Sequence, residues 1–209
     1  MNYKTIKERT QAKFFEKNSE FIAYLSPVRN NDEAVSFINE IRSTHRKATH
    51  NVYAYIIQEE NISRHSDDGE PQGTAGIPVL EILSKKELTN ICCVVTRYFG
   101  GIMLGAGGLV RAYSNAAKIA VDSSIILNMC SCYNLSLVLD YNLYGKISYI
   151  LPQYKIKELS STFEDIVTIN ILVLKEEYEI LSQNLIEATN GKIQINNILE
   201  TVEDFSIAI

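Results

Sequence analysis

The chain lacks any apolar run near the roughly 20 residues that a membrane span requires, and Met1 to Glu20 is too charged for a secretory signal. A soluble, unexported, cytoplasmic protein with no membrane partner is the expectation. No stretch is dominated by Gly, Ser, Pro or Gln, which excludes low complexity, and with 22% charged and 46% hydrophobic residues the chain can fill a core throughout. Cysteine is scarce. Cys92, Cys93, Cys130 and Cys132 form neither a C-x-x-C pair nor a secreted-type framework, so buried, reduced thiols are expected. A strong excess of basic charge is missing too. Residues 1–130 hold 15 Lys+Arg against 14 Asp+Glu, and residues 131–209 hold 5 against 11. Charge alone therefore identifies no nucleic-acid binder, but an anionic partner should meet the first half.

Glycine is what the first half has and the second does not: eight of the ten glycines fall between Gly69 and Gly108. The division predicts two domains, 1–130 and 131–209. In the first, Phe21 to Val28 reads as a strand, and Asn31 or Asp32 caps a helix carrying Val35, Phe37, Ile38 and Ile41 at helical spacing. Asn51 to Ile57 reads as the next strand, Gln58 to Gly76 as a polar loop, and Pro78 marks a helix start. Ile91 to Thr96 is a continuous apolar, β-branched run, the pattern of a strand buried on both faces, and Leu109 to Ser123 reads as a helix. The second half reads strand, helix, strand, strand, helix, strand: Tyr133 to Leu139, Leu143 to Leu151, Lys155 to Ser161, Val167 to Leu174, Glu176 to Thr189, Lys192 to Val202. That βαββαβ order is ferredoxin-like, and the class is α+β.

Chemistry concentrates in four segments: Lys47-Ala-Thr-His50-Asn51, Ser66-Asp-Asp-Gly-Glu-Pro71, Gly73-Thr74-Ala-Gly76, and Arg97-Tyr-Phe-Gly-Gly101 running on through Leu104 to Tyr113. Gly105, Gly107 and Gly108 ahead of a helix let backbone N–H groups converge with the positive end of the helix dipole on phosphate or carboxylate. Gly73 to Gly76 offers the same ahead of its own helix, and Arg97 and Arg111 would complete an anion pocket. The alternative is that these glycines serve only tight turns and close packing. A P-loop is excluded because no Lys-Ser or Lys-Thr follows the glycines, and a Rossmann fingerprint because Val110 stands at its third glycine. No nucleotide cofactor, or any other cofactor, is expected.

Asp67, Asp68 and Glu70 crowd three carboxylates into four residues, a set that suits a hard metal, an acid and base pair, or merely a solvated turn. His45, His50 and His65 do not pair at ligand spacing, so no metal site is assigned. Adjacent His65-Ser66-Asp67 is no triad, since neighbouring side chains diverge, and no catalytic residue is assigned.

Taken in order, Ala48-Thr-His50-Asn, Ser66-Asp-Asp-Gly-Glu-Pro-Gln-Gly-Thr-Ala-Gly76, Arg97-Tyr-Phe-Gly-Gly and Leu104-Gly-Ala-Gly-Gly-Leu-Val-Arg-Ala-Tyr113 resemble the signature of the YigZ (IMPACT-like) family, over roughly Phe14 to Asp122, with Gln72 and Met103 as small departures. The resemblance implies a bacterial two-domain member: a ribosomal protein S5 domain 2-like domain followed by a ferredoxin-like domain like the last domain of elongation factor G. It implies contact with RNA, the ribosome or a protein of the translation machinery, because that elongation factor carries both folds on the ribosome, and eukaryotic relatives regulate translation under amino-acid starvation. The expected face is His50, Arg64, Gly73, Thr74, Gly76, Arg97, Gly105, Gly107, Gly108 and Arg111 on phosphates, with Tyr98, Phe99 and Tyr113 available to stack bases. The rival expectation is a hydrolase or transferase using Asp67, Asp68, Glu70 and His50 on an anionic substrate, which requires those groups to meet in one cleft. A third reading makes Asp67 and Glu70 structural partners of Arg97 and Arg111.

Overall fold

The computed structural model describes residues 2–206. Its contacts divide into two units, Tyr3–Leu127 and Asn128–Ile209 with the first two residues.

In the first unit, β1 (Tyr3–Ile6), β2 (Thr10–Glu16) and β3 (Ser19–Pro27) lead to α1 (Asn31–Thr44), β4 (His50–Ile57), β5 (Ile62–Ser66), α2 (Gly76–Lys85), β6 (Ile91–Tyr98) and α3 (Ala106–Asp122). The sheet order is β2-β3-β6-β4-β5, every pair antiparallel. The apolar run of β6 occupies the centre because both its faces are covered. Phe21, Ala23, Val52, Ala54, Cys93 and Val95 face one way, under Val79 and Leu83 of α2 and Leu109, Tyr113 and Ala117 of α3. The alternate residues Tyr55, Ile57, Cys92 and Val94 face Phe37, Ile38 and Ile41 of α1. Burial removes any electropositive setting from the β6 cysteines: it pushes the Cys93 thiol up to about 12 and Cys92 up as well.

Three expectations need correction. The N-cap of α1 is Asn30, not Asn31 or Asp32: Asn30 is extended and its Oδ1 accepts from the Glu33 N–H at 2.9 Å. The span 58–76 is not all loop, because β5 lies within it as a short edge strand paired to β4. Its exposed Ser-Arg-His run carries no apolar alternation to announce it. The third helix begins at Ala106, so Gly107 and Gly108 sit inside its first turn rather than ahead of it. A first turn tolerates glycine because its N–H groups have no intrahelical partner in any case.

The second unit runs β7 (Ile126–Leu139), α4 (Tyr141–Ile150), a 3₁₀ turn (Leu151–Gln153), β8 (Ile156–Phe163), β9 (Val167–Leu174), α5 (Tyr178–Ala188) and β10 (Gln194–Asp204). Its strands are ordered β10-β7-β9-β8 and antiparallel. Leu135, Leu137, Ile169 and Ile171 pack with Ile147 of α4 and Leu181 and Leu185 of α5. Among the described residues, no helix is long and apolar enough to cross a membrane.

Candidate functional site

Strand register assembles the site. His50 on β4 stands opposite Arg97 on β6, and Arg97 opposite Phe21 on β3. Residues opposite one another share a face, so these three form a row at one end of the sheet, on the face that carries α2 and α3. Arg97 is only 5% exposed. Its Nη1 donates to Glu70 Oε1 at 2.6 Å, and the Tyr113 hydroxyl donates to the same oxygen at 2.8 Å. The guanidinium lies 5.5 Å from the Phe21 ring centroid and 5.4 Å from that of Phe99. Its Nε is buried without a hydrogen-bond partner among the described residues. Burial first, then the Glu70 charge, drives the Tyr113 hydroxyl far above the ordinary tyrosine range, so it stays a proton donor.

The three carboxylates part company. Asp67 turns back onto the start of α2, accepting from the N–H groups of Gly73 at 2.8 Å, Ala75 at 3.1 Å and Gly76 at 2.8 Å. Burial alone would raise the Asp67 carboxyl; the three N–H donors outweigh it and hold the group below its usual range. Asp68, at φ +47°, takes Arg42 Nη2 at 2.6 Å and the Asn51 N–H at 2.7 Å. Glu70 belongs to Arg97 and Tyr113. The three carboxylates do not converge, although Glu70 shares a cleft with His50. Among the described residues no group of three His, Cys, Asp or Glu is placed to hold a metal ion.

The two glycine-rich helix starts therefore differ. At α2 the chain supplies its own anion: Gly73 and Gly76 are spent on Asp67, and Thr74 Oγ1 donates to the Pro71 carbonyl at 2.7 Å. At α3, among the described residues, no side chain caps the helix; Gly105 holds φ +71°, a left-handed conformation open to glycine, as the N-cap. This start opens on a cleft of about 470 Å³ lined by Thr49, His50, Glu70, Arg97, Phe99 and Gly105, among others. His50 is fixed in it. Its Nδ1 lies 2.8 Å from the Asp68 carbonyl; a carbonyl only accepts, so Nδ1 carries a proton, and Nε2 faces Glu70 Oε2 at 3.8 Å. Phe99 is 48% exposed and Met103 84%.

Arg111 lines a separate cleft of about 230 Å³ with Lys17, Gly108 and Asn115, and Leu104 borders both clefts. Arg64 is elsewhere: on the edge strand β5 it stands opposite Tyr55, on the α1 face. Tyr98 also points to that face, where its hydroxyl meets His45 Nδ1 at 2.9 Å. Of the three aromatics, Phe99 alone offers an open ring, since Tyr113 is buried. The Tyr113 bond to Glu70 and the Arg42 bond to Asp68 were not foreseen. Tyr113 sits at the end of the glycine-rich motif, and that position was its one signal; Arg42 gave none.

One close approach holds the end of β6. A Cβ on Gly100 would lie 2.0 Å from the Asn18 carbonyl carbon, and the Gly100 N–H donates to Ser19 Oγ at 3.1 Å. The β2–β3 turn and the start of the glycine-rich segment are thus fitted together backbone to backbone.

Two family models match this chain: the Impact N-terminal domain over residues 17–121 and a domain of unknown function, DUF1949, over residues 137–192. The IMPACT family member YvyE of Bacillus subtilis is 40% identical over 93% of this chain and 90% of its own length. The IMPACT family member YigZ of Escherichia coli is 30% identical over 88% of this chain and 92% of its own length. A crystal structure of a hypothetical protein superposes with a TM-score of 0.60 at 27% identity, covering 95% of this chain and 98% of that one. With the Impact N-terminal domain spanning half the sequence and relatives this similar along nearly their whole length, the chain belongs to the IMPACT family.

Proposed function

We propose that this protein is a non-enzymatic binding module of the translation machinery, and that it meets RNA or the ribosome through the cleft at the start of α3. One observation carries the reading: of the two glycine-rich helix starts, α2 is filled by Asp67, whereas α3 has no side-chain cap and opens beside a buried arginine with an unspent N–H. The uncapped start of this 17-residue helix attracts phosphate. The face comprises His50, Arg97, Gly105, Gly107 and Gly108, with Arg111 in the adjoining cleft. Gly73, Thr74 and Gly76 hold the loop that presents Glu70, and Arg64 is not part of the face.

The two folds favour the same assignment. Strand order β10-β7-β9-β8 with α4 and α5 on a common core supports a ferredoxin-like second domain, and the pairing with a ribosomal protein S5 domain 2-like first domain is the one seen in elongation factor G. Four buried free thiols support a cytoplasmic home. The test is co-sedimentation of the full chain with ribosomes and ribosomal RNA at rising salt. Binding at low salt that weakens steeply with log salt supports the reading; no binding, or binding indifferent to salt, overturns it.

A further inference from the structure

The sheet of the second unit ends on β8, which among the described residues pairs with β9 alone. None of the eight residues of β8 is buried, whereas β9 beside it is buried at six of its eight positions. An edge strand presents unpaired N–H and C=O groups, and charges or a bulge commonly keep other chains off it. Here both are present, but neither is arranged to repel a second copy of the same strand. The bulge falls at Leu159, between Glu158 opposite Ile171 and Ser160 opposite Asn170. Residues seven apart on a regular strand point to opposite faces. Because of the bulge, Ile156 and Phe163, opposite Val173 and Val167, share the face that carries the helices.

The bulge thus makes the facing of β8 symmetric about its own centre. A two-fold axis normal to a sheet keeps every residue on its own face, so residues that meet across it must share one. With the axis between Leu159 and Ser160, Ile156 meets Phe163, Lys157 meets Thr162 and Glu158 meets Ser161, and each of these pairs shares a face. One residue further out, Lys155 meets Glu164, twice over. Among the described residues neither of these two side chains forms an ion pair within the chain. Helix α4 flanks the same edge: Tyr141 and Tyr144 pack on Phe163, with ring centroids 6.4 and 5.1 Å apart. Tyr141, Gly145 and Ser148 follow at i, i+4 and i+7, on one side of the helix. A glycine inside a helix weakens it, and a Cβ on Gly145 would meet nothing within 4 Å. No neighbour in this chain requires that glycine, whereas a second helix drawn close would. We propose that two copies of this chain associate through β8, joining their sheets across the two-fold axis, with α4 of one copy beside α4 of the other at Gly145. A second copy is the occupant because the reverse of this edge supplies Phe163 to Ile156 and Glu164 to Lys155 in a single register. Pairing also covers Leu159 and Phe163, which are 49% and 50% exposed.

The experiment follows the molar mass of the full chain by sedimentation velocity over a concentration series, for wild type, Lys155→Glu and Glu164→Lys. Wild type is expected to pass from monomer to dimer as concentration rises. Each variant sets like charges against each other at both crossings, and its dimer should be at least tenfold weaker. Mixing the two variants in equal amounts puts opposite charges back at both crossings, so heterodimers should form at wild-type affinity; a variant that had merely misfolded would not be rescued in this way. Gly145→Arg, placed in open space, should melt as wild type does in dilute solution and yet weaken the dimer at least tenfold. Wild type that stays monomeric up to about 1 mM overturns the proposal. Dimers equally strong in wild type and both charge variants, or a mixture that dimerises no better than its components, overturn the assignment to β8. None of these outcomes bears on the anion-binding reading, which rests on the other unit.

Discussion

Glu70 sits where burial, charge and hydrogen bonding act on the same atoms. Its carboxylate is nearly enclosed and paired with Arg97 at 2.6 Å, and removing one member of a buried pair strands the other's charge without solvent. Glu70→Ala is expected to lower unfolding free energy by about 3–5 kcal/mol, read from urea denaturation; a loss under about 1 kcal/mol would mean that water reaches Arg97. Asp67 gives a pH signature. The three N–H donors depress its folded pKa below the unfolded value of about 3.9, so its stabilisation is present in full above that value and disappears as pH falls through the lowered folded value. Asp67→Asn is expected to cost about 1–2 kcal/mol at neutral pH, the worth of a helix cap. The gap between variant and wild type should close in acid; a gap constant with pH would contradict the cap. That Asp67, Glu70 and Arg97 matter is visible from their place in the polar, glycine-rich segments, but their partners are not, because Asp67 reaches nine residues forward to Gly76 and Glu70 reaches 43 to Tyr113.

Among the elements, the most informative contrast is between α2 and α3, which start alike in glycine and differ in what fills them. Ala106→Asp places a carboxylate at the first residue of α3, where Asp67 already serves α2. The variant is expected to melt no lower than wild type, since acid at a helix start is worth about 0.3–1 kcal/mol, yet to bind RNA at least tenfold more weakly. Unchanged RNA binding with normal stability would move the site away from α3. Strands with a buried periodic face, such as Val167–Leu174, and the doubly covered Ile91–Tyr98 were legible in the sequence. The missed strands are β1, which at four residues is too short to show a period, and β2 and β5, sheet edges whose exposed residues are mostly polar, so that hydrogen bonding to a neighbour, rather than apolar patterning, makes them strands. The site suffered in the same way. The expected group of ten residues is split by strand alternation, which puts Arg64 on the α1 face while His50 and Arg97 share the other, and the same alternation turns Tyr98, a candidate for stacking, to the α1 face.

For the molecule as a whole, the uneven chemistry of the two halves is the feature that both sequence and structure bring forward. The second half carries the acidic excess, 11 Asp+Glu against 5 Lys+Arg, and the residues of the proposed anion-binding face all belong to the unit Tyr3–Leu127. A slope of log affinity against log salt equivalent to about two or three phosphates is expected for an interface built on Arg97, Arg111, Lys17 and a helix start; a slope near ten would require a far larger basic surface than this chain has. The central claim, that α3 offers an open anion site and α2 a closed one, is tested most directly by following backbone amide resonances of the ¹⁵N-labelled full chain during titration with inorganic phosphate. The account predicts that the amides of Ala106, Gly107 and Gly108 shift and saturate while those of Gly73, Ala75 and Gly76 stay in place. Shifts at both helix starts, or at neither, would contradict it.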